Sequence, residues 1–418
     1  MSDLISRAMV SRLYANRVQA AALRRWQGGL RRIWNESLDW CFKQREMVLA
    51  DGTQGKWPNQ RAIQDFMKSL KHRPETAWMK EIPAHAILAL AEDMHRAFKN
   101  WFEKRAKRPK FRGKFQRQFS VYMVNQATSF RDGKVKLPKL GEVRQRGGDL
   151  PEGRLLSSRV WCEAGKWYLS SVFECERPAY VTPEAERVGV DMGIKTLATV
   201  FDGQNVTPFD NPKALEKRLA QLRRYQRRVS RRVKGSNRRE AAKRRVAWLH
   251  QKIANIRKNT AHQATSRIVA MADKIVVESL NVAGMMKSKL HSRATADAGM
   301  GGFLRQIAYK ADWQRREVIK ADRFYPSSQI CSSCGEIHKE MAVKRLDVLR
   351  CACGNVMQRD DNASRNLYAY PEERGNVGVK PETRRETGDQ VPVATPVPVP
   401  VSELRILKKG SDRSSSLH

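Results

Sequence analysis

Three acidic side chains stand at places where short apolar stretches end or where a helix begins. Asp191 follows the apolar residues 188–190, Glu278 follows the β-branched run 275–277, and Asp360 directly precedes a helix-like stretch. Converging carboxylates repel one another unless a cation neutralises them, and their hard oxygen atoms suit Mg²⁺. Two such ions about 4 Å apart would activate a water and stabilise the leaving oxygen in phosphodiester hydrolysis. Each acid alone could equally be a solvated strand end or a helix cap.

Strands of β-branched residues are the elements that would position two of these acids. Residues 188–203 predict a strand that ends at Asp191, a turn at Gly193 and a returning strand over 196–201, before the turn pair Asp202-Gly203. Residues 274–277 predict a second short strand, with Glu278 at its exit. Residues 286–302, which contain glycines and lack a core pattern, are a candidate lid beside the site.

Four cysteines form a second constellation, with the spacing Cys331-x2-Cys334 and Cys351-x-Cys353, and a glycine follows each pair. Four thiolates on two glycine-assisted turns predict one structural, tetrahedral Zn²⁺ site. The alternative is a hairpin with free thiols and no metal. The chain has seven cysteines, an odd number that argues against a disulfide framework and favours a reducing cytosol.

The charge of the chain indicates its partner. The 418 residues include 80 Lys and Arg against 43 Asp and Glu, which gives a formal net charge of +37. Such an excess needs a polyanion, either nucleic acid or an anionic membrane surface. No run of eighteen apolar residues is present, and we therefore predict an intracellular, cytoplasmic protein that binds nucleic acid and does not contact a membrane.

Two basic regions are candidates for that contact. In residues 104–117, aromatic rings alternate with Lys110, Arg112 and Lys114, a pattern that suits phosphate contacts and stacking, although a solvated linker is the alternative. Residues 213–258 predict two amphipathic helices that are interrupted at 235–237. Their polar faces predict a surface that follows a nucleic-acid backbone whatever its sequence. The arginines on these faces include Arg223, Arg224, Arg227, Arg228, Arg231, Arg232, Arg238 and Arg239.

Three short motifs resemble one known family. Gly-Val-Asp-x-Gly-x-Lys at 189–195, Val-Glu-x-Leu-Asn-Val-x-Gly-Met at 277–285 and Arg-Asp-x-Asn-Ala at 359–363 resemble the RuvC-type nuclease motifs of TnpB proteins, transposon-encoded RNA-guided DNA nucleases related to compact type V CRISPR effectors. The resemblance implies that Asp191, Glu278 and Asp360 are the catalytic, Mg²⁺-binding acids. The family usually has an acid where Gln358 stands, and Asp361 is the alternative to Asp360.

The resemblance also implies an architecture. The expected fold is an α/β RuvC-like (RNase H fold) nuclease domain with a β-barrel wedge domain, an inserted α-helical recognition lobe and a zinc-ribbon insert that binds target nucleic acid. The expected boundaries are 1–15 and 116–185 for the wedge, 16–115 for the recognition lobe, 186–325 and 355–372 for the nuclease, 326–354 for the zinc ribbon and 373–418 for a disordered, Pro- and Ser-rich tail.

The function implied is RNA-guided cleavage of double-stranded DNA. The protein would bind a guide (omega) RNA, recognise a short motif beside the target and cut both strands in one RuvC-like site with two Mg²⁺ ions, as a monomer or a homodimer on the RNA. It would work in a prokaryotic cytoplasm and join the nucleoid when bound to DNA. Two alternatives remain: a nuclease-dead RNA-guided repressor, and a guide-independent RuvC-like nuclease or transposase accessory protein.

Overall fold

The computed structural model describes residues 3–47, 53–113, 120–288, 292–343, 346–371 and 376–377. These residues form two compact units: one contains 6–161 and 168–174, and the other contains 3–5, 162–167 and the residues from 175 onward. Among the helices so described, none is long and apolar enough to cross a membrane. Lys114 and almost all of the predicted tail, 373–418, lie outside the described residues.

Within the described residues, the first unit combines a seven-stranded sheet with three α-helices. The sheet has the strand order β2-β6-β7-β1-β5-β4-β3. Its closure into the predicted barrel, and its role as a wedge, stay predictions. The elements are β1 (Leu4–Tyr14), α1 (Arg17–Glu46), α2 (Gln60–Ser69), α3 (Ala84–Phe102), β2 (Val121–Met123), β3 (Ser129–Arg131), β4 (Lys134–Leu137), β5 (Gly141–Arg146), β6 (Arg154–Glu163) and β7 (Lys166–Glu176).

Local signals in the sequence account for the helices of this unit. Asn16 caps α1: its side chain accepts a hydrogen bond from the Gln19 backbone N–H at 2.8 Å, and the Gln19 side chain accepts one from the Asn16 N–H at 3.0 Å. Helix α3 begins directly after Pro83 and buries residues at helical spacing, among them Ile87, Leu90 and Met94. The apolar stripes therefore face the core of this unit.

The second unit contains a six-stranded mixed sheet. Its strands and helices are β8 (Ala185–Asp191), β9 (Thr196–Phe201), β10 (Val206–Asp210), α4 (Leu219–Ser230), α5 (Asn237–Met271), β11 (Ala272–Val277), α6 (Val282–Lys287), α7 (Ser292–Ala298), α8 (Met300–Trp313), β12 (Glu317–Lys320), α9 (Glu340–Val343), β13 (Val348–Arg350), β14 (Val356–Gln358), α10 (Arg359–Tyr368) and β15 (Asn376–Val377). The sheet order is β10-β9-β8-β11-β12-β15. The strands β8, β11 and β12 are parallel, whereas β9 and β10 are antiparallel to their neighbours.

Helices cover both faces of this sheet, which explains why the C-terminal halves of its central strands, residues 188–190 and 275–277, are apolar and buried. On one face, Val188 and Val190 of β8 and Ile275 of β11 join a core with residues of α5 and α8, such as Ile268 and Phe303. On the other face, Val276 and Ile319 pack with Leu367 of α10. Because the strands are parallel and in register, Asp191 and Glu278 leave the sheet at the same edge.

The predicted lid is helical in the residues that the structure describes. Helices α6 and α7 and the start of α8 occupy it, apart from 289–291, which lie outside the described residues. Asp297 of α7 is 5% exposed and accepts hydrogen bonds from the backbone N–H groups of Leu215, at 2.9 and 3.0 Å, and Glu216, at 3.1 Å. The segment is therefore packed, and two of the three buried residues of α7, Thr295 and Asp297, are polar, which masks an apolar pattern.

Candidate active site

Close packing of α10 on β8 brings two distant acids together. Asp191 is the last residue of β8 and is 8% exposed. Gly189, two residues earlier, faces the helix so closely that a Cβ there would stand 2.1 Å from the Ser364 carbonyl oxygen and 2.3 Å from the Tyr368 nitrogen. Only glycine allows this approach. It lets α10 lie directly on the strand, with Asp360 in the first turn of the helix.

Glu278 reaches the same place from the parallel strand β11. It follows Val277 at the strand end, and its Oε1 accepts a hydrogen bond of 2.5 Å from the Ser327 hydroxyl. Ser327 is 3% exposed and precedes the cysteine segment. The Ser327 hydroxyl thus orients one of the three predicted catalytic carboxylates.

The three acids are close enough to affect one another's ionisation. Burial raises the pKa of the Asp191 carboxyl well above its usual range, and the negative charges of Glu278 and Asp360 raise it further. Burial also raises the pKa of Glu278, while the Ser327 hydrogen bond and the Arg359 guanidinium lower it. Ionised carboxylates are therefore disfavoured here, and a cation would offset that cost.

The geometry favours Asp360 over its neighbour. Asp360 influences both Asp191 and Glu278, and its Oδ2 would be 3.7 Å from a Cβ on Gly193. Asp361 is not among the main influences on either pKa, whereas burial and Asp360 raise the pKa of Asp361. Within the described residues, the oxygens of the three acids are not all within 4.8 Å of one another, a spread wider than three ligands of a single ion would show.

Two buried asparagines on α10 connect this cluster to the cysteine segment. Asn362 accepts a hydrogen bond from the Ser332 backbone N–H at 2.9 Å and donates to the Ile330 carbonyl oxygen at 2.6 Å. Asn366 donates to the carbonyl oxygens of Ser327, at 2.7 Å, and Ile330, at 2.6 Å. Sequence reasoning quoted Asn362 only as part of a motif. Arg359 was likewise quoted only as part of that motif, whereas Ser327 and Asn366 were missed because no local signal stood out.

The four cysteines meet, as their spacing predicts. Their Sγ atoms all lie within 4.8 Å of one another, with 3.7 Å between Cys331 and Cys353 and 3.5 Å between Cys334 and Cys351. Zn–S bonds of about 2.3 Å in a tetrahedron require similar S–S spacings. All four are free thiols, and these residues could hold one Zn²⁺ ion.

Two glycines in the left-handed backbone conformation close the cysteine turns. Gly335 (φ +81°) and Gly354 (φ +88°) donate backbone hydrogen bonds to the carbonyl oxygens of Cys331, at 2.9 Å, and Cys351, at 3.0 Å. The Asn355 amide also donates to the Cys331 Sγ at 3.4 Å. The shorter second motif, Cys351-x-Cys353, therefore still forms a turn that presents both sulfurs.

The predicted basic residues of the first unit lie beside aromatic rings. The Trp34 indole N–H donates to the Lys110 carbonyl oxygen at 3.2 Å, and the Arg112 guanidinium lies 5.1 Å from the centre of the Trp34 ring. Asn35 exchanges hydrogen bonds of 2.7 and 3.1 Å with the Arg112 backbone. Lys110 is exposed, whereas Arg112 is half-buried.

The predicted arginines of the second unit divide into two groups. Arg239 is half-buried and donates to the carbonyl oxygens of Val229, at 2.9 Å, and Arg232, at 2.7 Å, so it caps the end of α4. Its role is at least partly structural, which sequence spacing did not reveal. The remaining seven are exposed: Arg223, Arg224, Arg227, Arg228, Arg231, Arg232 and Arg238.

Comparison with known proteins identifies sequence relatives. Residues 170–289 match the OrfB_IS605 family model, described as "Probable transposase", and residues 301–367 match the "Cas12f1-like, TNB domain". The chain is similar to a "Putative RNA-guided DNA endonuclease" of Streptomyces pristinaespiralis (31% identity; 88% of this chain, 90% of the relative). It is also similar to "Putative RNA-guided DNA endonuclease InsQ" of Escherichia coli K12 (32% identity; 84% of this chain, 89% of the relative).

A solved structure shares the fold. The protein in the cryo-EM structure of a Cas12f1–sgRNA–target DNA complex superposes with a TM-score of 0.52 at 12% identity, over 84% of this chain and 82% of that one. At this identity the match shows similarity of fold alone.

Proposed function

Since the chain belongs to the TnpB family, we propose that it is an RNA-guided endonuclease that cuts double-stranded DNA beside a short adjacent motif, in one RuvC-like site. The observation that carries the proposal is the cluster of Asp191, Glu278 and Asp360. These acids come from three distant segments, two of them have raised pKa values, and they lie in a chain of net charge +37. A buried acidic cluster in so basic a protein suits divalent ions and a polyanionic substrate.

The roles of the chain's own residues follow from their positions. Asp191, on the rigid end of β8, and Asp360, in the first turn of α10, would hold the metal ions that the scissile phosphate approaches. Ser327 holds the Glu278 carboxylate in orientation. Arg359, which lowers the pKa of both Asp191 and Glu278, is close enough to stabilise negative charge. When bound, two Mg²⁺ ions would supply water activation and leaving-group stabilisation.

The other predicted elements complete the proposal. Residues 326–354, with Zn²⁺ on Cys331, Cys334, Cys351 and Cys353, would form the zinc-ribbon insert that contacts target nucleic acid. Residues 186–325 and 355–372 would be the nuclease domain, 1–15 and 116–185 the wedge, and 16–115 the recognition lobe. The basic residues around Lys110 and along α4 and α5 would contact the guide RNA or its duplex with DNA. We place the protein in the cytoplasm, as a monomer or a homodimer on its RNA.

The test combines RNA sequencing with a cleavage assay. The full chain, expressed with its flanking DNA, should copurify with one RNA species, and that complex should cut a matching plasmid only with Mg²⁺. Asp191→Ala should lower cleavage by at least about 1,000-fold because a metal ligand is lost, while target binding stays within about two-fold. Asp210→Ala, which removes an exposed acid, should leave cleavage unchanged.

Each alternative has its own outcome. Specific target binding without cleavage by the wild-type complex would indicate a nuclease-dead repressor. Cleavage that needs no RNA would indicate a guide-independent nuclease. Full cleavage by Asp191→Ala would end the assignment of the catalytic acids.

A further inference from the structure

One stripe along α5 joins two clefts of different chemistry. The residues Arg238, Ala241, Arg245, Trp248, Lys252, Asn255 and Asn259 follow one another at intervals of three and four. Such intervals place side chains on one face of a helix. The stripe spans about 30 Å at 1.5 Å per residue, long enough for several nucleotides.

The N-terminal part of the stripe lines a cleft of arginines. This cleft has a volume of about 440 Å³, and Tyr225, Ala241, Ala242 and four arginines line it: Arg228, Arg232, Arg238 and Arg245. In the described part of the chain, none of these four guanidinium groups pairs with a carboxylate. The single acid of α5, Glu240, lies off the stripe and pairs with Lys243 at 2.6 Å. The cleft therefore attracts phosphate.

The next part of the stripe lines a different cleft, of about 340 Å³, around Trp248. Trp248 is 42% exposed, whereas Trp26 and Trp34 are each 3% exposed. Lys252 holds its ammonium 5.4 Å from the centre of the Trp248 ring. Asn255 and Asn259 also line this cleft, and their side-chain amides hydrogen-bond to no other described residue. An exposed indole beside free amides offers a base both a stacking surface and edge contacts.

We propose that this stripe binds single-stranded RNA, with Trp248 stacked on one unpaired base, Asn255 and Asn259 bonded to the edge of that base, and the phosphates of neighbouring nucleotides in the arginine cleft. The proposal rests on the proposed function for the presence of an RNA. It goes beyond that function because it assigns base recognition to a surface predicted to be indifferent to sequence. Lys252, which lines the Trp248 cleft, would neutralise a phosphate beside the stacked base.

The experiment measures binding of the full chain, stripped of nucleic acid in high salt, to 12-nucleotide RNAs. The probes are oligo(A), oligo(U), oligo(C) and an abasic 12-mer that has the backbone without bases. Trp248→Ala should weaken binding of the base-bearing RNAs about ten-fold and change binding of the abasic RNA by less than two-fold. Trp248→Phe, which keeps an aromatic ring, should restore most of the affinity.

Two further variants separate base from phosphate contacts. Asn255→Ala combined with Asn259→Ala should reduce the differences in affinity among the three homopolymers. Arg238→Ala combined with Arg245→Ala should weaken binding of all four RNAs and lower the salt dependence by about 0.7 in log–log slope per lost contact. Melting temperatures within about 2 °C of wild type would show that these exposed substitutions leave the fold intact.

Opposite results would overturn the inference. Equal losses on base-bearing and abasic RNA, or no loss, in Trp248→Ala would exclude stacking. Unchanged base preference in the double Asn variant would exclude edge recognition, and the same response with single-stranded DNA would exclude selectivity for RNA. If the wild-type chain bound none of the RNAs, the proposed guide-RNA function itself would fail. Wild-type binding without a Trp248 effect would reject this inference alone.

Discussion

The second unit contains two clusters of predicted metal ligands, the four cysteines and the three acids, and the two clusters form in different ways. The cysteine cluster comes from two local turns within residues 331–353, and backbone hydrogen bonds inside those turns set its shape. The acidic cluster needs residues 191, 278 and 360, which come from two parallel strands and a helix. Short-range geometry is sufficient for the first, whereas the second exists only when β8, β11 and α10 pack together.

The two clusters are nevertheless coupled. Asn362 and Asn366 of α10 hold the segment that begins at Ser327 and enters the cysteine turns. Ser327 in turn binds Glu278. We therefore expect damage to the cysteine cluster to reach the acids, and damage to the packing of α10 to leave the cysteine turns able to bind metal.

Among the changes that test how the two clusters are built and coupled, Gly189→Ala should have the largest effect, because it disturbs the packing that forms the acidic cluster. The added Cβ would meet backbone atoms of α10 at 2.1 and 2.3 Å, and the helix would have to move. Displacement of a metal ligand by about 1 Å lowers rates by about 100-fold, and overpacking costs about 1–3 kcal/mol. Cleavage should therefore fall at least about 100-fold. Metal analysis should still find about one zinc ion per chain.

Gly302→Ala in α8 is the matched control for this change. A Cβ at Gly302 would have only the end of the Arg305 side chain nearby, at 4.0 Å. Normal cleavage by Gly189→Ala would show that the contact between β8 and α10 does not set the position of Asp360.

Cys334→Ser tests whether damage to the cysteine cluster affects the acids. Loss of one thiolate should reduce zinc content from about one to near zero per chain and lower the melting temperature, because structural zinc contributes folding free energy. Cleavage should fall about 30-fold, because a disturbed cysteine segment would displace Ser327 and with it Glu278. This loss is smaller than the roughly 100-fold expected for a catalytic group displaced by about 1 Å. Cys162→Ser, outside the cluster, should retain zinc and activity. Wild-type protein without zinc would refute the metal site.

Ser327→Ala removes the link between the two clusters without replacing any of the cysteines or acids. Hydrogen bonds to charged groups contribute about 1.5–3 kcal/mol, and we expect cleavage at neutral pH to fall about 10-fold. Because this hydrogen bond lowers the pKa of Glu278, its loss raises that pKa, and the acidic limb of the pH–rate profile should move to higher pH. Ser328→Ala should leave the profile unchanged. If the acidic limb of the pH–rate profile stayed at the wild-type pH in Ser327→Ala, Ser327 would not control the ionisation of Glu278.

The smallest effect concerns the stability of the acidic cluster. The pKa of Asp191 is raised in the folded protein, and its contribution to stability therefore falls as pH rises above about 4, through the folded pKa. In EDTA at pH 8, Asp191→Asn should melt a few degrees above wild type, and near pH 4 the difference should vanish. Mg²⁺ should raise the melting temperature of wild type but not of the variant. A destabilised variant at pH 8 would contradict the burial of an ionised Asp191.

Local patterns made several elements predictable. Residues 213–258 contain parts of two helices, α4 and α5, as their apolar spacing predicts, and the interruption at 231–236 lies close to the predicted 235–237. The C-terminal end of α5 was harder to predict. The helix continues to Met271, well past residue 258, and its C-terminal half is buried against the sheet and does not show the basic pattern. The ordered motifs also indicated the family correctly.

What the sequence alone determined are features that depend on neighbours in the chain: the strand ends at Asp191 and Glu278, the cysteine turns and the charge that requires a polyanion. The tertiary structure decided which atoms meet. Gly189 matters because of a helix that begins 170 residues later, and Ser327 matters because α10 holds its segment against Glu278. Such contacts depend on packing between distant segments, and no spacing along the chain encodes the distance between two atoms that only folding brings together.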